Sequence, residues 1–135
     1  VTITGNFQYV TVVLKDRNVL VGNLHGLWQA QGKDDTEDRL TQSQILKDFL
    51  KEVPVPKVIC GDFNMLPETE SMYLLQGDMR NLIKEYKIPS TRSSLYEKDI
   101  PFSDYILLSP DLSVKDFKAM NVTVSDHLPL LLELE

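Results

Sequence analysis

One ten-residue stretch decides the fold: Val58-Ile59-Cys60-Gly61-Asp62-Phe63-Asn64-Met65-Leu66-Pro67. Its first three residues are apolar and mostly β-branched, which predicts a short buried strand. The strand is expected to break at Gly61, after which Asp62 and Asn64 follow two residues apart. Because positions i and i+2 of an extended backbone point to the same side, a carboxylate and a carboxamide are expected to emerge together from the strand end. Proteins of the α/β class tend to build their sites at such ends.

Two interpretations of Asp62 and Asn64 are open at this point. In the first, the carboxylate takes a proton or holds a cation, and the amide orients a neighbour or touches a phosphate oxygen. In the second, the residues only form a turn, since Gly, Asp and Asn are common turn residues. The stretch by itself does not decide between them.

The totals describe a globular chain. Its 135 residues fit a single domain, with 42% hydrophobic and 25% charged residues. No apolar run approaches the roughly 20 residues of a membrane helix, and no secretory signal stands at the N-terminus. The single cysteine, Cys60, excludes an intramolecular disulfide and a cysteine-rich zinc site, and is expected to be buried and inert. These features slightly favour a cytoplasmic location.

The charge balance bears on partners. Twenty acidic residues against 14 basic ones give a formal net charge of −6. Such a field repels nucleic acid, membrane anions and free phosphate, so a nucleic-acid partner is open but not favoured. A substrate carrying phosphate would need a local counter-charge, and a divalent cation held by the excess carboxylates is the obvious source.

The chain pattern predicts alternating strands and helices, hence an α/β or α+β class. Strands are expected over residues 7–14, 19–25, 58–60, 103–109 and 128–134, and helices over residues 36–52, 71–75 and part of 79–86. Residues 29–38 are expected to form an exposed loop. Arg39 and Gln42 share one face of the first helix, and solvation of that face is favoured slightly over substrate contact.

Four polar signals stand at predicted strand ends, and together they hold both histidines: Asn23 with His25, Asp62 with Asn64, Asp104, and Asp126 with His127. The triplet Ser125-Asp126-His127 is not a serine-hydrolase relay, because neighbours in an extended chain point to opposite faces. No Gly-rich phosphate loop, HExxH helix or nucleophile elbow occurs. What remains is a carboxylate–imidazole–amide site able to hold a hard cation and activate water.

The sequence resembles the endonuclease/exonuclease/phosphatase superfamily, which includes deoxyribonuclease I, apurinic endonucleases, sphingomyelinases and inositol polyphosphate 5-phosphatases. The matching pieces, in the family's order and with similar separations, are Asn23-Leu24-His25, Gly61-Asp62-Phe63-Asn64, Ser103-Asp104-Tyr105-Ile106 and Ser125-Asp126-His127-Leu128-Pro129. The resemblance implies half of a four-layer α/β/β/α sandwich, with a mostly antiparallel sheet and flanking helices. It also implies metal-dependent hydrolysis of a phosphoester, by a phosphodiesterase, nuclease or phosphatase.

The resemblance also implies catalytic roles. Asp62 would activate or orient the attacking water, with Asn64 touching the phosphate. His127, held in tautomer and charge by Asp104, would stabilise the transition state or share in proton transfer. His25 would be a general acid or a phosphate contact, at a place where some family members carry tyrosine.

The implied metal is Mg²⁺ or Mn²⁺, held by Asp126 together with Asp62 and Asn64. Asn23 and Arg92 are weaker candidates for contact with the substrate phosphate. An exposed loop arginine such as Arg92 more often has no specific partner.

The chain departs from the family pattern in one respect. Residues 1–135 form a single domain that matches only the C-terminal portion of the family's domain, because the upstream Asn motif and the metal-binding Glu motif do not occur. Weak Mg²⁺ binding and little or no activity are therefore expected of the chain as given. An uncovered apolar sheet face is also expected, and with it self-association.

Two other interpretations stay open. One is a catalytically silent domain of the same fold that serves binding or assembly. The other is a non-catalytic metal-binding fold that uses Asp62, Asp104 and Asp126.

Overall fold

A computed structural model describes residues 5–135, so the first four residues of the predicted domain lie outside the described part. The strands are β1 (Asn6–Val13), β2 (Asn18–His25), β3 (Lys57–Asp62), β4 (Arg80–Asn81), β5 (Asp104–Leu108), β6 (Val114–Ala119) and β7 (Leu130–Leu134). The helices are α1 (Glu37–Lys51), α2 (Glu70–Gln76) and α3 (Leu82–Glu85). The predicted mixed α/β class is confirmed.

Five of the strands form one sheet in the order β1-β2-β3-β5-β4. Only β2 and β3 pair in parallel, and the other three pairings are antiparallel. The expectation of a mostly antiparallel sheet is therefore confirmed. The register of β3 with β5 sets Asp62 directly opposite Asp104, so the last residue of one strand meets the first residue of the next.

A second sheet of two strands, β6 and β7, lies against the core. Its apolar side chains Phe117, Leu130, Leu132 and Leu134 pack on the buried cluster of the main sheet. The sequence did not predict β6, because Phe117 is the only large apolar residue between its charged neighbours. The four-layer sandwich stays a prediction.

Helix α1 begins as its sequence predicts. The Thr36 hydroxyl caps it by accepting from the backbone N–H of Arg39 at 3.2 Å, and acidic residues occupy the first turn. Leu46 and Leu50 are buried on the face toward the sheet. Phe49 packs on the two aromatic rings of β1, which anchors the edge of the sheet to the helix.

Helix α2 is joined to the loop between β2 and α1. Thr69 caps the helix, and Gly77, with φ 55°, ends it at the predicted residue. The Asp35 carboxylate accepts from the backbone N–H groups of Glu70 at 2.7 Å and Ser71 at 2.8 Å. This contact fixes the end of the loop against the second helix.

The loop between β2 and α1 (residues 26–36, the β2–α1 loop) corrects one prediction. Arg39 is only 2% exposed, not solvated. Its guanidinium donates to the carbonyls of Gly32 and Asp34, both at 2.6 Å, and Gln42 accepts from the N–H of Leu27 at 3.1 Å. The loop folds back over the first turns of α1, and its backbone groups need partners there.

Cys60 and the exposed residues of β1 bear on two further predictions, an inert thiol and an uncovered apolar surface. Cys60 is half-buried, and burial raises the pKa of its thiol, which is the setting of an unreactive cysteine. Val10, Val12 and Val13 of edge strand β1 are exposed by 58%, 38% and 78%. Among the described residues, no helix is long and apolar enough to cross a bilayer.

Candidate active site

Two carboxylates stand side by side at one edge of the sheet. Asp62 and Asp104 are cross-strand partners, and side chains of directly opposed residues share one face. The side chain of Asp104 is the more enclosed, with 15% exposed against 24% for Asp62. Burial raises the pKa of Asp104, and the hydrogen bond with His127 opposes that rise.

The imidazole of His127 joins the pair. Its Nδ1 lies 3.0 and 2.8 Å from the two carboxylate oxygens of Asp104, and its Nε2 lies 3.9 Å from Oδ2 of Asp62. One ligand atom from each of the three residues lies within 4.8 Å of the other two. The structure therefore brings together three residues that the sequence separates by 65 positions.

Two loops hold His127 in place through their backbones. Arg92 and His127 form an isolated antiparallel bridge, and the N–H of Leu128 donates to the carbonyl of Thr91 at 2.9 Å. On the other side, the N–H of Ser93 donates to the carbonyl of Asp126 at 3.0 Å. The segment after residue 124 is thus paired with the segment after residue 90.

Arg92 reaches into the site, and its side chain is only 9% exposed. Its Nη1 lies 3.0 Å from Oδ2 of Asp126 and 2.7 Å from Nε2 of His127. A guanidinium can only donate, so Nε2 accepts and Nδ1 carries the proton toward Asp104. The guanidinium also lies 3.9 Å from the centre of the Tyr96 ring, which supports it from beneath. The expectation of an exposed arginine without a specific partner is wrong.

The sequence did not single out two residues that orient the carboxylates. Oδ1 of Asp62 accepts from the Ser103 hydroxyl and, at 3.0 Å, from the N–H of Asn64. The buried Thr91 hydroxyl accepts from the N–H of Ser103 at 3.1 Å and of Asp104 at 3.3 Å. Ser103 could have been suspected as the neighbour of Asp104, but Thr91 carries no sequence signal.

Asn64 is placed differently from what strand alternation predicted. Strand β3 ends at Asp62, and Asn64 has φ 53° in the left-handed region, so the i, i+2 rule does not extend to it. Its side chain is 4% exposed and donates from Nδ2 to the carbonyl of Gly26 at 3.1 Å. Asn64 thereby ties the end of β2 to the end of β3. Its contact with phosphate stays a prediction.

Asn23 and His25 lie exposed at the end of β2, one strand away from the three-residue cluster. The parallel register pairs Asn23 with Cys60, and two further residues along, His25 would lie beside Asp62. In the described part of the chain, no hydrogen bond joins Asn23 or His25 to the cluster. Their roles also stay predictions.

The donor set fits a hard divalent cation. Asp62 and Asp126 each hold a carboxylate oxygen within 4 Å of the His127 Nε2, at 3.9 and 3.8 Å. Mg²⁺ in enzymes is commonly held by one or two carboxylates, with water filling its other positions. Asp126 is also paired with Arg92, so a cation there competes with the guanidinium.

Lys33 corrects the prediction of an exposed β2–α1 loop. It is 7% exposed, and its Nζ donates to the carbonyl of Phe102 at 3.0 Å. Its own carbonyl accepts from the N–H of Leu66 at 3.2 Å. Lys33 therefore bridges the segment after Asp62 to the segment before Asp104.

Comparisons by sequence and by structure relate the chain to known proteins. The sequence profile of the Endonuclease/Exonuclease/phosphatase family matches residues 2–127. A search of curated proteins gives no significant match. Among solved structures, the chain is similar to a mannosyl-6-phosphatase of Bacteroides thetaiotaomicron VPI-5482, with 19% identity and a TM-score of 0.70 over 90% of this chain and 52% of that one.

Two further structures are similar. A humanized D. rerio TDP2 gives 14% identity and a TM-score of 0.72, over 97% of this chain and 60% of that one. The human Nocturnin catalytic domain gives 21% identity and a TM-score of 0.64, over 96% of this chain and 51% of that one. At these identities the likeness shows the fold alone, and the chain spans little more than half the length of its structural relatives.

Proposed function

The chain belongs to the Endonuclease/Exonuclease/phosphatase family, and we propose on that premise that it serves the metal-dependent hydrolysis of a phosphoester. One observation carries the proposal. His127 stands between two carboxylates, with Nδ1 2.8 Å from Asp104 and Nε2 3.9 Å from Asp62. A group for activating water (Asp62), a group for proton transfer (His127) and a group that orients the imidazole (Asp104) thus lie together at one edge of the sheet.

Asp62 is the group that activates or orients water. Its Oδ1 is occupied by donors from Ser103 and Asn64, which leaves Oδ2 directed toward the Nε2 of His127. A water between these two atoms would be oriented by the carboxylate and could pass its proton to it. Asn64 is proposed to touch the phosphate through its side chain.

His127 stabilises the charge that develops on the phosphoryl oxygens. Asp104 fixes the ring and keeps a proton on Nδ1, so that Nε2 is an acceptor. Arg92 donates to Nε2 in this structure and has to release it before Nε2 can serve the reacting group. When Nε2 is also protonated, the neighbouring Asp104 carboxylate stabilises the imidazolium. A positioned acid or base of this kind contributes on the order of 10²–10⁴-fold in rate.

The metal is proposed to be Mg²⁺ or Mn²⁺, with Asp62, Asp126 and Asn64 as its protein ligands. When bound, it would withdraw charge from the phosphoryl oxygens and align the in-line attack. His25 is proposed as general acid or phosphate contact, and Asn23 as a further substrate contact.

The proposed substrate is a phosphoester without preference for nucleic acid. The net charge of −6 repels a polyanion, and no basic stripe offsets it in the sequence. The similar structures include a mannosyl-6-phosphatase and a TDP2 complexed with single-strand DNA product, so the names of structural relatives do not choose the substrate.

The test is hydrolysis of bis-p-nitrophenyl phosphate and p-nitrophenyl phosphate with Mg²⁺ or Mn²⁺. It uses the chain as given and, where the gene encodes residues ahead of Val1, the longer protein. Turnover that requires metal and is abolished by Asp62→Ala or His127→Ala, but not by Asp99→Ala at an exposed loop position, supports the proposal. Turnover that survives both site variants refutes it, and silence of the longer protein on both esters favours a binding or assembly domain.

A further inference from the structure

Lys33 is a buried cation without a counter-ion. It is 7% exposed, and its Nζ has one hydrogen bond, to the carbonyl of Phe102 at 3.0 Å. None of the ion pairs formed by the described residues includes it. An ammonium offers three donors, and burying its charge is costly unless an anion or further acceptors compensate. Two of its donors are therefore open to a ligand.

The backbone places this ammonium beside the reacting groups. Phe102 precedes Ser103, whose hydroxyl donates to Asp62. The carbonyl of Pro101 accepts from the N–H of Thr91 at 2.8 Å, next to Arg92. The Lys33 Nζ thus lies where the segments that carry Asp62, Asp104 and Arg92 meet.

The electrostatics of Lys33 show that its charge is only partly compensated. Burial, and next the charge of Arg92, lower the pKa of Lys33 to about 8. Asp62 and Asp104 act in the opposite direction but do not restore the pKa to its ordinary value. The carboxylates are engaged with the imidazole and their own donors, and they do not neutralise Lys33.

Arg92 brings a second cation with unused donors to the same place. Its Nη1 serves both Asp126 and His127, while its buried Nε has no hydrogen-bond partner among the described residues. The stacking of its guanidinium on Tyr96 holds the fork in one orientation. Two enclosed cations therefore flank the cluster of Asp62, Asp104 and His127.

We propose that Lys33, together with Arg92, binds the non-bridging oxygens of the substrate phosphoryl group and selects a terminal phosphate monoester over a diester. This inference rests on the proposed function and names the substrate class of that site. A monoester is largely a dianion at neutral pH, since its second pKa is about 6, whereas a diester carries one charge. Arg92 is already paired with Asp126, whereas Lys33 has no ion-pair partner among the described residues. The second charge of a monoester can therefore be matched by Lys33, and a diester has no second charge to offer.

A structural role for Lys33 makes a different prediction. If Lys33 only fastened the β2–α1 loop through the Phe102 carbonyl, Lys33→Met would lower the melting temperature and leave anion binding unchanged. If Lys33 is held for a ligand, Lys33→Met still removes the hydrogen bond to Phe102 but also removes the cost of an unpaired buried charge, so the melting temperature should fall less. Anion binding is then lost.

The experiment measures binding, not turnover. The chain is titrated with methyl phosphate, a dianion, and with dimethyl phosphate, a monoanion, and amide chemical shifts are followed by NMR. We expect methyl phosphate to bind at least about tenfold more tightly. The free energy of one hydrogen bond between charged groups is larger than the free energy that a tenfold difference in dissociation constant requires. Lys33→Met should abolish this preference and Lys33→Arg should retain it. Lys98→Met, which removes an exposed lysine, should change either dissociation constant by less than about twofold.

Three results would overturn the inference: no binding of methyl phosphate, equal binding of the two esters, or an effect of Lys33→Met no larger than that of Lys98→Met. Failure of the proposed function has a different signature. Binding that depends on Lys33, in a protein that hydrolyses neither nitrophenyl ester, supports this inference and counts against hydrolysis. Hydrolysis that Lys33→Met leaves unchanged, along with unchanged binding, counts against this inference alone.

Discussion

Replacing Arg39 with methionine tests how the β2–α1 loop is held over α1. The guanidinium is 2% exposed and donates to two carbonyls at 2.6 Å, with a third, of Leu27, at 3.5 Å. A hydrogen bond to a charged group contributes about 1.5–3 kcal/mol, and the longest contact adds little. Two strong hydrogen bonds contribute about 3–6 kcal/mol. The cost of removing the guanidinium from water must be subtracted from this contribution. We expect Arg39→Met to lower the free energy of unfolding by about 3 kcal/mol.

Urea unfolding followed by circular dichroism measures this cost. Arg17→Met is the matched control, because Arg17 lies in the exposed turn between β1 and β2 and should cost less than about 0.5 kcal/mol. Arg39→Lys should recover only a small part, since one ammonium cannot reproduce the planar fork. A loss below about 1 kcal/mol for Arg39→Met would refute the view that these carbonyls depend on the guanidinium.

Four further predictions concern stability, activity and association. Gly61→Ala should lower the free energy of unfolding in urea by more than about 3 kcal/mol, because the new Cβ would lie 2.1 Å from a backbone oxygen. Gly32→Ala, also at positive φ but with open space around the new Cβ, should lower it by about 1–2 kcal/mol. Asp104→Asn should reduce kcat by about 10²-fold or more. It should leave the melting temperature at pH 7 unchanged or higher, because burial raises the pKa of this carboxyl and so disfavours its ionised form in the folded protein. Burial acts to raise the pKa of Asp35, but hydrogen bonds from the start of α2 outweigh it and lower that pKa. Asp35→Asn should therefore lower the free energy of unfolding by about 1 kcal/mol at pH 7. The difference between variant and parent should disappear as the pH falls below about 4. The exposed valines of edge strand β1 should make the chain self-associate, and a monodisperse monomer in analytical ultracentrifugation would contradict this.

Local chemistry was enough to predict the elements that begin and end on their own residues. Thr36 caps α1, and Gly77, at a positive φ that favours glycine, ends α2. The Thr36 hydroxyl accepts from a backbone N–H of the first turn, and the N–H of Gly77 donates to the carbonyl of Tyr73. Both contacts lie within a few residues of the helix end, so a short stretch of sequence contains their cause. The existence of strand β3 was predictable from its β-branched run. The break predicted at Gly61 is wrong, because pairing with β5 carries the strand on to Asp62.

The burial of Lys33 in the β2–α1 loop and of Arg39 in α1 was wrongly predicted because it depends on contacts that a short stretch of sequence does not contain. Lys33 donates to a carbonyl 69 residues away. Arg39 is closer to its acceptors, but they face it only because the loop folds back over the helix. A polar loop of average composition indicates solvent, and the fold-back depends on contacts with Asp35 and α2 that no short window contains.

Strand β6 shows a related limit on patterns of alternation. Its six residues include one buried large side chain, Phe117, between charged neighbours. Its pairing with β7 defines it, and that pairing includes a register shift between Val114 and Asp116. A strand that depends on its partner for both pairing and burial leaves little signal in its own sequence.

The candidate site divides in the same way. Motifs predicted which groups would meet, and Asp62, Asp104 and His127 do meet, because cross-strand register joins the first two and a backbone bridge delivers the third. The resemblance implied that Asp104 sets the tautomer of His127, but no motif predicted the second residue that does so. That residue is Arg92, which can only donate to the Nε2 of His127 and so assigns the proton to Nδ1, facing Asp104. Since Arg92 lies in an irregular segment with no strand or helix pattern, its contact with the imidazole required the structure.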